Sequence, residues 1–221
     1  MRMLTLLLLS LVAGGCAGTV RPVSRPLDPV AVYLTDYGVH SSLVLPVNQG
    51  GYVEYCFGDW GYAVENHDAP NDAVGALMVS EGSAFGRRYL AADPQTGEPV
   101  VPTNVTPSLK HISRLVASRE KVDSLLKELD DRYRRDPQPP TVNPENGIAY
   151  VRDEQPYSIS NNCNHLTAAE LEQLGFEVEG PTWISGFHVS QPLSPGNSAG
   201  TAIVGDSHAA PVDHLGVVTS D

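Results

Sequence analysis

The chain has few cations, few cysteines and no apolar segment long enough to cross a membrane. Its 221 residues include 14 Lys or Arg against 26 Asp or Glu. This balance argues against nucleic acid as a partner, because phosphates select for clustered cations. The main apolar run, residues 4–12, is too short for a membrane-spanning helix, which needs roughly 20 apolar residues. We find no repeat at the periods of solenoid proteins, so the composition favours one globular domain.

The first residues have the pattern of an export signal. Arg2 precedes the apolar run, and the small residues Ala13-Gly14-Gly15 precede Cys16. This Ala-Gly-Gly-Cys segment resembles the lipobox of bacterial lipoproteins, which implies that residues 1–15 are removed and that Cys16 carries the lipid. An ordinary signal followed by an incidental cysteine is the alternative. We expect a lipid-anchored protein of the cell envelope, on the periplasmic face of the outer membrane if the source is Gram-negative.

The rest of the chain divides into three parts. Residues 16–29 contain repeated X-Pro pairs and little apolar content, which predicts an extended tether. Residues 30–190 carry the apolar patterns of a folded domain. Residues 191–221 are dominated by Pro, Gly, Ser and Asn, which predicts a mobile tail.

The predicted domain mixes strands and helices. Alternating or continuous apolar segments predict strands at residues 30–35, 39–47, 52–59, 110–116, 148–151 and 157–160. Helical spacing predicts a short helix at residues 70–78 and longer helices that begin after Ser118 and at Cys163. The fold class we predict is α+β, with a curved antiparallel sheet packed against the helix that begins at Cys163.

The start of this last helix is the most informative segment of the sequence. Ser160, Asn161 and Asn162 are good helix caps and directly precede Cys163. Unpaired backbone N–H groups and the positive end of the helix dipole would therefore point at the sulfur and favour its thiolate form. Gly175 is expected to end the helix. This arrangement is typical of a nucleophilic cysteine.

Two other interpretations of the cysteine remain open at the level of the sequence. With Cys16 assigned to lipid, Cys56 and Cys163 could form a structural disulfide in an exported protein. A metal site could join Cys163, His165 and His40 with His67 or His111. Its spacing lacks the two-plus-two pattern of a structural zinc site, and we predict neither a metal nor any other cofactor.

A nucleophilic thiol needs a base, and the base needs a partner that orients it. His40 stands at the head of a predicted strand that the turn at residues 48–51 joins to the next one. If residue 47 faces residue 52, then His40 faces Asp59, which is the best-placed carboxylate to hold the imidazole. Glu54 is the alternative, although this register puts it about 17 Å further along the strand.

The order of these parts along the chain resembles that of a known superfamily. A histidine strand (Tyr37 to Pro46), a strand with acidic residues (Glu54 to Asp59) and a much later helix that begins at Asn162-Cys163 follow one another in this order. This order resembles the circularly permuted, papain-like (NlpC-type) cysteine hydrolases, and more closely an exported bacterial family of that branch. The resemblance covers roughly residues 30–190. It implies that Cys163 is the nucleophile and His40 the base, with Asp59 or Glu54 as the third member.

This family has Trp in place of Val39, and a hydroxyl residue followed by Trp in place of His165-Leu166, so the pocket wall is expected to differ. The function that we predict is hydrolysis of an amide or ester bond, as in a peptidase or amidase. The resemblance and the expected location imply a peptidoglycan peptide or another acylated envelope component as substrate. A lipid acyltransferase or thioesterase and a non-catalytic envelope-binding lipoprotein are the alternatives.

Overall fold

The computed structural model describes residues 18–22, 26–38, 40–48, 50–66, 80, 82–105, 107–182 and 186–190. Several predictions fall outside these ranges: the signal, the lipidation of Cys16, the helix at residues 70–78, any role of His67 and the tail at residues 191–221. Among the described residues, no helix is both long and apolar enough to cross a membrane.

Ten strands and three helices lie within the described residues. The strands are β1 (Gly18–Arg21), β2 (Pro29–Asp36), β3 (Ser41–Pro46), β4 (Tyr52–Asp59), β5 (Ser83–Leu90), β6 (His111–Ser118), β7 (Thr141–Asn143), β8 (Ile148–Asp153), β9 (Glu177–Glu179) and β10 (Phe187–Val189). The helices are α1 (Trp60–Ala63), α2 (Arg119–Tyr133) and α3 (Cys163–Leu174).

The strands form two sheets. Seven of them make an antiparallel sheet in the order β6-β2-β3-β4-β5-β8-β7, and three make a small sheet in the order β10-β1-β9. The chain is therefore α+β with a large antiparallel sheet and few helices, as the sequence predicts at this coarser level.

One face of the large sheet packs against α2 and α3. Alternate residues of β3 and β4, such as Leu43, Leu45 and Phe57, join Leu125 of α2 and Leu171 of α3 in the largest apolar cluster. Alternation places the intervening side chains of the same strands on the opposite face. That opposite face carries two smaller apolar clusters and most of the polar groups of the site described below.

Helix α3 has the limits that the sequence predicts. The side chain of Asn162 caps its N-terminus by accepting hydrogen bonds from the amides of Asn164 and His165. Gly175 ends it in a left-handed conformation, with φ of 94°. Cys163 is thus the first helical residue, and it is buried.

Two sequence predictions differ from the structure. Residues 18–21, which we expected in the tether, form β1 between β9 and β10, and Val20 is fully buried in the main core. Val20 is apolar, and its burial in the core stabilises a paired strand here although X-Pro pairs follow it in the sequence. Residues 157–160, expected as a strand, form a turn in which Ser158 and Asn161 pair with each other.

Glu170 of α3 is buried against α2, and its carboxyl makes the stability of the protein depend on pH. Burial raises the pKa of its carboxyl from 4.5 to about 8; Arg132 opposes the rise and Glu128 adds to it. The folded protein therefore holds this proton while the unfolded chain releases it above about pH 4.5. The contribution of Glu170 to the free energy of unfolding is therefore fully present below about pH 4.5. It falls by roughly 1.4 kcal/mol per pH unit as the pH rises to about 8.

We expect Glu170→Gln to remove this slope from the free energy of unfolding. The variant should match the wild type near pH 4.5 and exceed it by roughly 3–5 kcal/mol near pH 8. Urea denaturation across this pH range measures the difference, with Glu172→Gln on the exposed side of α3 as the control that keeps the slope. Parallel curves for the wild type and Glu170→Gln would contradict the prediction.

Candidate active site

The N-terminus of α3 meets the beginning of β3, and this contact brings Cys163 and His40 together. The Thr167 hydroxyl donates a 2.9 Å hydrogen bond to the Ser41 carbonyl and so fixes α3 against the strand. His40 precedes β3 by one residue, in a turn closed by a 2.8 Å hydrogen bond from the Tyr37 amide to its carbonyl. The imidazole of His40 and the thiol of Cys163 line the same cavity, and each shifts the pKa of the other. The fold therefore brings the two predicted reacting groups to one site.

The two side chains shift each other's pKa in opposite directions. Burial alone would raise the pKa of Cys163, but the charge of His40 and hydrogen bonds from His40, Tyr157 and the Ser41 amide lower it below its ordinary value of 9.0. Burial alone would lower the pKa of His40, but Cys163 and, more weakly, Glu54 raise it. Both directions shift the pair towards its thiolate and imidazolium forms.

Tyr157 is a third polar group at the sulfur. Its hydroxyl lies 4.0 Å from Cys163 Sγ, and the backbone N–H of Cys163 donates to it. Burial, the charge of Cys163 and the charge of Asp59 raise the pKa of this phenol. Tyr157 therefore stays protonated at neutral pH, and its O–H is a donor beside the nucleophile.

The register of the β3–β4 hairpin differs by one residue from the predicted one. Pro46 pairs with Tyr52 and Val44 with Glu54, whereas we expected residue 47 to face residue 52. The Val47 amide bonds to the Gly51 carbonyl, and Gly51 has a φ of 88° in a position where a Cβ would lie 2.7 Å from the Leu90 carbonyl oxygen. A shift of one residue moves every side chain to the other face of the sheet.

The shift removes Asp59 from the position that we predicted for it. Asp59 caps α1, where its carboxylate accepts hydrogen bonds from the Tyr62 amide at 2.9 Å and the Ser80 hydroxyl at 2.6 Å. The expectation that Asp59 directly faces His40 and orients it is therefore wrong. Asp59 instead fixes the turn that follows β4.

Glu54 lies on the face that Asp59 was expected to occupy. It is 2% exposed and pairs with Arg88 of β5, which is 6% exposed. Its Oε1 accepts hydrogen bonds from the hydroxyls of Tyr37 at 2.9 Å and Ser42 at 2.5 Å. A buried carboxylate that is paired and hydrogen-bonded keeps its charge without a large penalty.

Tyr37 connects this buried pair to the imidazole. Its ring stacks on that of His40 with centroids 5.9 Å apart and planes inclined by 27°, while its hydroxyl donates to Glu54. Arg88 in turn donates to the Tyr37 hydroxyl at 3.0 Å. Tyr37 therefore orients the imidazole by stacking on it. The Tyr37 ring is held in turn by its hydrogen bonds with Glu54 and Arg88.

Cys56 and Cys163 are both free thiols, so the alternative of a structural disulfide is wrong for this structure. Cys56 lies on the face of β4 that carries Glu54. Burial and the charge of Glu54 raise its pKa to about 12, against a hydrogen bond with Tyr150 that lowers it. Cys56 is thus protonated at neutral pH and chemically unlike Cys163.

Of the other histidines that were metal-site candidates, the two that the structure describes, His165 and His111, do not join the site. The Nδ1 of His165 lies 3.0 Å from the Asn162 side-chain oxygen, and burial lowers its pKa. His111 is exposed at the start of β6. Among the parts of the chain that the structure describes, no group of three or more His, Cys, Asp or Glu side chains is arranged to hold a metal ion.

A cavity of about 110 Å³ extends from Cys163 and His40 across the face of the sheet that carries Glu54. Aromatic, aliphatic and amide side chains line much of it. Its described lining comprises Tyr37, His40, Glu54, Cys56, Phe57, Gly58, Tyr62, Ala63, Asn66, Arg88, Val105, Pro107, Asn143, Glu145, Asn146, Ile148, Tyr150, Tyr157 and Cys163.

The sequence did not single out Tyr157 or Arg88. Tyr157 was assigned to a strand, although a hydroxyl six residues before a capped cysteine is the signal that could have marked it. Arg88 falls in a segment rich in Pro and Gly for which we predicted no structure. Its pairing with Glu54 depends on the register of three strands, which no local pattern encodes.

No protein-family model, curated protein or solved structure matches this chain. Statements about its chemistry therefore rest on its own residues.

Proposed function

We propose that the protein is a cysteine acyl hydrolase of the peptidase or amidase type, with Cys163 as nucleophile and His40 as acid and base. The observation that carries this proposal is that Cys163, at the N-terminus of α3, and His40 line one cavity and shift each other's pKa in opposite directions. The order of the strands and α3 also agrees with a permuted papain-like fold, which we propose as the finer description of the domain.

The first half of the proposed reaction acylates the enzyme. The Cys163 thiolate attacks the carbonyl carbon of an amide or ester, a C–S bond forms and the carbonyl π electrons move to oxygen. The O–H of Tyr157, which lies 4.0 Å from the sulfur, is placed to donate to this oxyanion. The intermediate then expels the amine or alcohol, which takes the proton from the His40 imidazolium.

The second half releases the acid. His40, now neutral, removes a proton from water as the water attacks the thioester. The C–S bond breaks and returns the electron pair to Cys163, which restores the thiolate–imidazolium pair. Tyr37 and Glu54 act as positioning residues, because they touch His40 or its neighbour and not the reacting atoms.

Two observations support hydrolysis over the alternative of a non-catalytic binding protein. That alternative predicts either a Cys56–Cys163 disulfide or a separation of Cys163 from His40. Both cysteines are free, and Cys163 and His40 line the same cavity. The proposed location at an envelope membrane, with Cys16 as the lipidated residue, rests on the resemblance of residues 1–16 to a lipoprotein signal.

Mass spectrometry of the protein after brief incubation with p-nitrophenyl butyrate tests the proposal. We expect the added mass of one butyryl group on Cys163, and release of nitrophenolate that continues after the first turnover. Cys163→Ala should show neither, and no butyryl group is expected on Cys56 in any variant, because Cys56 is protonated at neutral pH. Acylation of Cys163→Ala at the wild-type level would refute the assignment.

A further inference from the structure

The cavity beside Cys163 has a chemical character that narrows the substrate class of the proposed hydrolase. It begins at Cys163 and His40 and extends over the face of the sheet that carries Glu54 and Cys56. The sulfur bonds the carbonyl carbon of the acyl group, and this group stays beside Cys163 in the thioester after the amine or alcohol has left. The lining of the cavity therefore bears on which acyl group the enzyme accepts.

The cavity offers no free cation to a charged acyl group. Arg88 supplies the only guanidinium or ammonium group among the described lining residues. All three of its nitrogen atoms already have protein partners: Nε and Nη2 bond to Glu54, Nη2 also to the Tyr37 hydroxyl, and Nη1 to the Asn146 carbonyl at 2.7 Å. A substrate carboxylate would instead meet the Glu54 side chain and the exposed Glu145 at the rim.

The inner wall of the cavity is apolar. Cys56, Ile148 and Tyr150 belong to one buried apolar cluster against which Ala63 packs. The Cys56 thiol is neutral at neutral pH, since burial raises its pKa to about 12. Burying an unpaired charge against such a wall is strongly unfavourable. Burying an alkyl group there is favourable, because apolar surface is removed from water.

The size of the cavity suits a short group. Its volume of about 110 Å³ is smaller than the roughly 150 Å³ of an apolar protein cavity that binds benzene. This corresponds to roughly four carbon atoms beyond the carbonyl. The part of a longer acyl chain beyond these atoms would lie outside the apolar wall and gain little from it.

From these observations we infer that the cavity binds the acyl part of the substrate and selects a short, uncharged, apolar acyl group. The inference rests on the proposed function, because it assumes that Cys163 attacks the acyl carbonyl. It favours an envelope component that carries a short acyl group over a peptide whose acyl side bears a carboxylate.

A series of p-nitrophenyl esters tests the inference on the wild-type protein. Butyrate and hemisuccinate differ mainly by one terminal carboxylate, and acetate, hexanoate and decanoate vary the length. We expect kcat/KM for the butyrate to exceed that for the hemisuccinate and that for the decanoate by at least about tenfold each. Equal or faster turnover of either of these two esters would overturn the inference.

A variant that fills the cavity provides a second, independent test of the inference. The Cβ of Ala63 lies at the wall, only 3.0 Å from where a Cβ on Gly58 would stand. Ala63→Leu should lower the butyrate-to-acetate ratio of kcat/KM by about tenfold. Ala169→Leu, on the exposed side of α3, should keep the wild-type ratio.

The outcomes separate the two proposals. If Cys163 becomes acylated but turnover depends on neither length nor charge, or if Ala63→Leu keeps the wild-type ratio, the cavity inference fails and the nucleophile assignment stands. If no ester of the series acylates Cys163, the proposed function fails and the inference fails with it.

Discussion

His40→Ala is expected to lower the turnover of an ester or amide substrate by roughly 10²- to 10⁴-fold, the usual contribution of a general acid or base. The imidazolium also lowers the pKa of Cys163, so its loss reduces the thiolate fraction at neutral pH. Steady-state kinetics at neutral pH measures the loss. A pH profile should show recovery of part of the activity as alkaline conditions deprotonate the thiol.

The matched control is His111→Ala, which removes an exposed imidazole at the start of β6. It should keep wild-type kinetics. A His40→Ala variant that folds and retains more than about a tenth of the wild-type activity would contradict the role of His40 as acid and base.

Glu54→Gln is expected to lower the free energy of unfolding by roughly 3–5 kcal/mol, the usual cost of breaking a buried ion pair by removing one partner. The Arg88 guanidinium would remain 6% exposed with its countercharge gone. The hydroxyls of Tyr37 and Ser42 would also lose the charge of their acceptor. Urea denaturation at neutral pH measures the change.

The exposed ion pair between Arg21 and Glu179 provides the control, because its side chains are 50% and 55% exposed. Glu179→Gln should cost no more than about 1 kcal/mol. If Glu54→Gln costs as little as Glu179→Gln, the buried pair has no structural role. Since Glu54 raises the pKa of His40, the folded Glu54→Gln protein should also hold the imidazolium less strongly.

The sequence predicts well those parts of the structure that local patterns determine. The apolar segment at residues 52–59 coincides with β4, and the segment at residues 30–35 lies within β2. Asn162 and Gly175 fix the ends of α3, because a cap residue and a left-handed glycine act on their own helix. Cys163 could therefore be singled out without knowledge of the fold.

The partner of His40 could not be predicted in the same way. Its identity depends on the hairpin register, and one residue in the turn before Tyr52 decides which face Asp59 and Glu54 occupy. The link through Tyr37 depends in addition on the turn that places its ring on His40. These are contacts between segments, and no local sequence pattern specifies them.

Titration of the Cys163 thiolate tests the central claim most directly. The difference in ultraviolet thiolate absorbance between the wild type and Cys163→Ala isolates this sulfur, and the same difference in a His40→Ala background isolates the effect of the imidazole. We expect a pKa below the ordinary value of 9.0 in the wild type and a higher pKa in the His40→Ala background, where burial acts without the countercharge of the imidazolium. A Cys163 thiol that titrates at or above 9.0 in both backgrounds would contradict the thiolate–imidazolium pair.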